Sequence, residues 1–195
     1  SASPSTLGCL VSAERCLVYL AQHSELGVTF HAGAADSGLI GYSDSNWTVG
    51  HSTSGWAILY AGAVIGYGSK RQQSIALSST EAEIMAASQA ATELMYFRGL
   101  LREFGHDLGP TPLYVDNQGA VELSRDMKSC QRSRHIERRY LKVRELVALG
   151  EVAVFHVSTE LNRADVLTKP LDKLAFDAHV NALCGTASLP QQGGS

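Results

Sequence analysis

Four acidic residues, Asp44, Glu83, Asp116 and Asp165, fall where the chain is about to turn or a helix is about to begin. Asp44 closes the run LIGYSD at 39–44 and Asp116 closes PLYVD at 112–116, each two residues after a tyrosine. Side chains two apart on a strand share a face, so each run carries a tyrosine and an aspartate together to a carboxyl edge. That edge is where ligands gather in open α/β sheets. Aspartate is a common turn residue, and either position alone reads that way; the same pattern twice points to a site.

The stretch LSSTEAEIMAAS offers Glu81 and Glu83. Ser78-Ser79-Thr80-Glu81 fits a capping box in which Glu81 returns to the Ser78 backbone, a structural task. Glu83 instead heads the stripe Ala87, Ala90, Leu94, Phe97 and Leu101. Such a stripe faces the core, where a carboxylate is costly unless paired or bound to a cation, so Glu83 is the functional candidate. Asp165, in ELNRADVLTKPL, stands early in a helix expected at about 162–168. There it can complement the helix dipole or return to the same edge, because that helix follows directly on a strand.

Carboxylates brought together repel one another and titrate high unless cations fill the gap. Oxygen-only donors favour Mg²⁺ or Mn²⁺ over zinc, and the seven histidines form no H-x-x-x-H pair. Two such ions roughly 3.5–4 Å apart activate a water and stabilise the leaving oxygen of an in-line phosphodiester displacement. The chemistry expected is metal-dependent phosphoryl transfer.

Elements able to position these groups follow from the hydrophobic pattern. Leu7, Leu10, Val11, Leu17, Val18 and Ala21 recur at helical spacing over 6–23, followed by the linker-like HAGAADSG at 31–38. Short β-type runs at 39–44, 55–61 and 63–69 are punctuated by Gly and Ser as hairpins are. An Ala-rich helical pattern from Ser78 to Phe104 stops at Gly105, the usual place of a C-cap glycine. Strands at 112–116 and 151–157 alternate with helices at about 118–124, 135–149 and 162–168, and TASLPQQGGS reads as a loose tail. The order implies an α/β domain with a mixed sheet, three antiparallel strands plus two parallel ones, flanked by helices.

With 195 residues, 45% hydrophobic and 18% charged, the chain fits one buried domain with a short appendage, which excludes disordered and collagen-like classes. No apolar run approaches the ~20 residues of a membrane span, and the N-terminus lacks a basic region followed by an apolar one. An intracellular setting, no membrane partner and reduced cysteines are therefore expected. A net charge of −3 gives no global reason to expect nucleic acid, so that expectation must rest on local charge.

The combination LIGYSDSNW, STSGW, AVIGYGSKRQQSIALSSTEAEIMAAS, PLYVDNQGAV and RADVLTKPL, spread over about Leu39 to Leu171, closely resembles the ribonuclease H domain of copia-type retrotransposon Pol polyproteins. The resemblance implies a ribonuclease H-like fold in which Asp44, Glu83, Asp116 and Asp165 bind two Mg²⁺ ions. It further implies cleavage of the RNA strand of an RNA/DNA hybrid, leaving 3′-hydroxyl and 5′-phosphate ends. Ser79, Thr80, Asn117 and Gln118 fall where the wider superfamily touches the hybrid. Residues 1–36 look like the end of a preceding reverse transcriptase region plus a linker, 37–172 like the nuclease domain, and 173–195 like an extension and flexible tail. The family context implies a cytoplasmic, virus-like-particle setting with the polymerase as partner. Tyr114-Val115-Asp116-Asn117 is one aspartate short of the polymerase Y-V-D-D signature, but Asp-Asn-Gln is this family's normal form. The family usually has a longer charged loop between the Trp47 position and STSG, where this chain has only TVGH with His51. His156 lies near the position of a loop histidine that cellular ribonucleases H use.

RSRHIERRYLKVR at 132–144 concentrates positive charge in a chain otherwise acidic. On a helix, Ile136, Tyr140, Val143 and Val147 face the core and Arg134, Arg138 and Lys142 form a row on another face. With Lys70 and Arg71 these read as a phosphate track, for a hybrid recognised by its shape and 2′-hydroxyls. Two rivals stay open. One is an integrase-like nuclease, disfavoured because the glutamate comes second. The other is a non-catalytic nucleic-acid-binding or structural remnant.

Overall fold

The computed structural model describes residues 4–31, 38–106, 108–125 and 142–186. A helix α1 (Pro4–Gln22) precedes three strands, β1 (Ile40–Asn46), β2 (Thr53–Tyr60) and β3 (Ala63–Arg71), and the long helix α2 (Ser79–Glu103). Strand β4 (Thr111–Val115), helix α3 (Gln118–Arg125), a helix α4 described over 142–148, and β5 (Val152–His156) follow. Two 3₁₀ turns, Thr159–Leu161 and Asp165–Leu167, lead to helix α5 (Lys173–Leu183).

The five strands form one mixed sheet in the order β3-β2-β1-β4-β5. β1 pairs antiparallel with β2 and β2 with β3, whereas β1–β4 and β4–β5 are parallel. This is the α/β architecture the sequence implies. The β2–β3 hairpin turns on Ala61 and Gly62, both at positive φ (52° and 80°), the backbone that matches strand twist in a two-residue loop.

The two faces of the sheet are covered differently. On one, the α2 stripe Ala87, Ala90 and Leu94 packs with Ile58, Leu113, Val115, Val121, Val143, Val152 and Val154 into the main core. On the other, Tyr42, Ala57 and Leu59 pack against Ala164 and Leu183. Residues 159–183 thus close the face that carries the tyrosine–aspartate pattern. At the far end of the strands Arg98, only 1% exposed, donates from Nε and Nη2 to Glu151 Oε2 (3.0 and 2.6 Å), from Nη1 to Gly109 O (2.7 Å) and to Thr111 Oγ1. That network pins α2 to the entries of β4 and β5.

Two expectations change. The helix expected at 162–168 is a 3₁₀ turn, because Asn162 Oδ1 accepts from Ala164 N (3.2 Å) and its Nδ2 donates to the Ser43 carbonyl (2.9 Å), holding the chain against β1. Within the C-terminal extension, residues 173–183 form α5, capped by Asp172 accepting from Ala175 N at 3.0 Å. Glu81 returns to Leu77 N (2.7 Å) rather than to Ser78 N, although Ser78 Oγ does accept from Glu81 N (3.1 Å).

Helix α1 leaves Leu10, Val11, Leu17, Val18 and Leu20 exposed. Its link to the rest runs through Tyr19, edge-on to Phe176 at 5.6 Å, and through backbone bonds Thr29 N to Cys184 O and His31 N to Ala61 O, both 2.8 Å. Among the described residues, no helix is long and apolar enough to cross a membrane.

Candidate metal centre

β1 and β4 run parallel side by side, with Tyr42 opposite Tyr114 and their rings stacked at 5.3 Å. The aspartates two residues on therefore emerge together at the carboxyl edge. Asp44 is 2% exposed and paired in register with Gly55 of β2. Asp116 stands just beyond β4, and Thr159 Oγ1 donates to its Oδ2 at 3.2 Å. Asp165 opens the second 3₁₀ turn and is buried. One carboxylate oxygen from each of Asp44, Asp116 and Asp165 lies within 4.8 Å of the others.

Gly55 makes this convergence possible. A Cβ there would stand 2.6 Å from Thr168 Cγ2 and 3.0 Å from the Ala164 carbonyl oxygen. The bare backbone lets the Ala164–Thr168 segment lie directly on β2 opposite Asp44. From that segment Thr168 Oγ1 donates to Asp44 Oδ2, and the Lys169 ammonium pairs with Asp165 Oδ1.

Glu83 approaches from α2, on the other side of the edge. It is 4% exposed, and its Oε1 accepts from Ser45 N (2.9 Å) and Ser45 Oγ (2.6 Å). Its Oε2 is buried with no hydrogen-bond partner. Burial, reinforced by the Asp44 charge and then that of Asp116, outweighs the Ser45 bonds and pushes the Glu83 carboxyl up to about 8. Burial also raises Asp44, to about 6; the Thr168 bond opposes this, Asp116 and Asp165 add to it, and Lys169 opposes it. Glu83, held by Ser45 through Oε1, thus feels the charges of Asp44 and Asp116, and its carboxyl favours the protonated form at neutral pH.

Converging carboxylate oxygens, an orphaned buried carboxyl oxygen and the absence of thiol or imidazole from the triad fit a hard divalent cation. The strongest repulsions in the site are those a cation removes.

The remaining sequence candidates spread around this centre. Ser79 and Thr80 lie in the first turn of α2, Ser79 exposed and Thr80 half-buried. Asn117 Oδ1 caps α3 by accepting from Ala120 N (3.0 Å), and Gln118 is exposed at its start. Lys70, Arg71 and Lys142 line one groove of about 370 Å³ with Gln72, Gln73, Ser88, Gln89 and Thr92. Arg134 and Arg138, with Ile136 and Tyr140, lie outside the described residues; Val143 is buried as expected. His156 is the exposed last residue of β5. His51 donates from Nδ1 to the Gln72 carbonyl at 2.8 Å, which bolts the short β1–β2 loop to the end of β3.

Sequence reasoning missed Ser45, Asn162, Thr168 and Lys169. Only Lys169 carried a signal, the spacing of four from Asp165. The others act through contacts across more than 35 residues, which no local pattern records.

No protein-family model matches the chain. Among curated proteins it is 36% identical over 168 residues, 84% of its length, to the Pol polyprotein of the Arabidopsis thaliana transposon RE2. It is 34% identical over 149 residues, 74% of its length, to that of the Nicotiana tabacum transposon TNT 1-94. The match spans only 12% and 11% of those polyproteins. Among solved structures it resembles the N-terminal RNase H domain of a Mycobacterium tuberculosis protein (TM-score 0.54, 12% identity, 75% of this chain and 99% of that one). It also resembles LC11-RNase H1, determined with an RNA/DNA hybrid (TM-score 0.54, 18% identity, 67% and 93%). The chain is homologous to one segment of the retrovirus-related Pol polyproteins of plant copia-type transposons, and it has the ribonuclease H fold.

Proposed function

We propose that the chain is a metal-dependent endonuclease that hydrolyses the RNA strand of RNA/DNA hybrids during retrotransposon reverse transcription. The observation that carries this reading is the meeting of Asp44, Asp116 and Asp165, with the unpartnered Glu83 Oε2 beside them. These four carboxylates would hold two Mg²⁺ ions, or Mn²⁺ in their place. When bound, the ions supply an activated water and neutralise the leaving 3′ oxygen of an in-line displacement.

The chain's own residues prepare that site. Thr168 fixes the Asp44 carboxylate, Thr159 holds that of Asp116, and Ser45 keeps Glu83 turned inward. Burial favours the protonated form of Glu83; as one of the groups that would hold the ions it would bind them as the carboxylate, its proton passing to solvent. Lys70, Arg71 and Lys142, along the groove beside α2, are suited to a phosphate backbone, a role to which Arg134 and Arg138 are assigned by their charge alone. Ser79, Thr80, Asn117 and Gln118, at the starts of α2 and α3, carry hydroxyl and amide groups suited to sugar hydroxyls across a minor groove. The exposed apolar side of α1 is suited to the reverse transcriptase region of the same polyprotein, in the cytoplasmic particle of such an element.

The test is cleavage of a labelled RNA/DNA hybrid in Mg²⁺, Mn²⁺ and EDTA, with double-stranded RNA and DNA as controls. Metal-dependent cutting of the hybrid's RNA strand alone is expected, abolished by Asp116→Asn while hybrid binding survives. No cutting by demonstrably folded protein, with binding retained, would replace this reading with that of a non-catalytic remnant.

A further inference from the structure

The acidic edge is not left to metal alone. Lys169 follows Asp165 by four residues, and the one turn of 3₁₀ helix between them brings its ammonium onto Asp165 Oδ1. Burial alone would lower this ammonium, but the Asp165 carboxylate, backed by Asp44 and Asp116, outweighs burial and raises it above its ordinary value. The field of all three aspartates therefore holds the lysine. Asp165 is 5% exposed and Lys169 36%, so the carboxylate is fixed while the lysine reaches it from the solvent side. The buried His179 also feels the Asp165 charge, but burial and then the charge of Arg163 lower it below the ordinary imidazole value.

We infer that Lys169 is a tethered counter-ion of the acidic triad, one that occupies Asp165 when no divalent cation is bound and must leave it when one arrives. The lysine tail has open solvent to withdraw into, whereas the Asp165 backbone is tied into the turn, its N–H donating to the Asn162 carbonyl and its carbonyl accepting from Thr168 N, both at 3.1 Å. Cation affinity is then set below that of the bare carboxylates, by the cost of displacing the ammonium. The same ammonium keeps the triad folded when cations are scarce, since three carboxylates within 4.8 Å would otherwise face one another uncompensated. This goes beyond the endonuclease reading but rests on it in one respect, that the triad takes a divalent cation.

The experiment is calorimetric titration of the full chain with Mg²⁺ and with Mn²⁺, without nucleic acid, for the wild type, Lys169→Gln and Lys169→Arg. Thermal unfolding in EDTA and in saturating Mg²⁺ accompanies it. A full charge removed from contact distance should tighten the first ion in Lys169→Gln by about tenfold or more, while Lys169→Arg stays near the wild type. In EDTA Lys169→Gln should melt below the wild type, and the gap should close in Mg²⁺. Equal or weaker binding by Lys169→Gln, or a melting deficit that persists unchanged in Mg²⁺, overturns the inference and leaves the metal reading intact. If wild type and both variants alike bind no divalent ion, the metal reading itself fails with it. Binding by Lys169→Gln alone would support the inference in its strongest form.

Discussion

Replacing Glu83 by glutamine removes the ionisation most strongly opposed by burial among the described residues and leaves the side chain's shape nearly unchanged. The wild-type carboxyl titrates at about 8 in the folded chain against an ordinary 4.5. Below 4.5 it is neutral in both folded and unfolded chains. Between 4.5 and 8 the unfolded chain ionises and the folded one does not, so the folded state binds more protons and stability falls as pH rises. Above about 8 both are ionised and the full penalty is in place. At ~1.36 kcal/mol per decade of proton affinity, the span from 4.5 to 8 sets a ceiling of ~5 kcal/mol, of which ~3 kcal/mol is already felt at pH 7. The amide never ionises, and its oxygen can still accept from Ser45 N and Oγ. In EDTA, Glu83→Gln should therefore be more stable than the wild type by a few kcal/mol at pH 7–8 and indistinguishable from it near pH 4. Asp44, raised to about 6, keeps its own smaller slope in the variant, so the profile flattens rather than disappears. Urea unfolding at fixed pH steps reads both effects. In Mg²⁺ the same variant should lose hybrid cleavage by on the order of 10²–10³-fold, as removal of one charge-stabilising group does. A variant no more stable than the wild type at pH 8 in EDTA, or wild-type stability that rises from pH 5 to 8, would refute the reasoning.

Two further substitutions test the frame around the site. Gly55→Ala places a methyl 2.6 Å from Thr168 Cγ2 and 3.0 Å from the Ala164 oxygen, which should push the Asp165 turn outward. A loss of ~1–3 kcal/mol by urea unfolding is expected, together with a fall in cleavage of about 10²-fold from a misplacement near 1 Å; wild-type rates would show that the turn is not seated through Gly55. Arg98→Ala removes the buried guanidinium at the opposite end of the strands while the part-exposed Glu151 keeps Arg102, and should cost ~1–3 kcal/mol through the acceptors left without a donor, with Mg²⁺ affinity unchanged by calorimetry. A matching loss of metal affinity would mean the two ends of the sheet are coupled.

Local pattern was enough to place the sheet, because alternation in 39–44 and 112–116 and the stripe from Glu83 to Leu101 are set by backbone period. The same periods put Asp44 and Asp116 on one face, and the cost of a carboxylate on an apolar stripe singled out Glu83 before any fold was known. Sequence also held the charge of the triad and the distinctive RADVLTKPL segment. It did not hold the path of the chain after β5. Helical propensity favours a helix at 162–168, but Asn162 trades that helix for a bond to the Ser43 carbonyl 119 residues away, and the open space above Gly55 accepts the resulting turn. Nor could local pattern rank the carboxylates. Burial against Ser45 and proximity to Asp44, which exist only once α2 crosses β1, make Glu83 titrate near 8 and leave its Oε2 unsatisfied. Thr168 became the partner of Asp44 for the same reason. Periodicity fixes which face a residue occupies, while the distance between two charges, and hence their chemistry, is fixed by how distant segments pack.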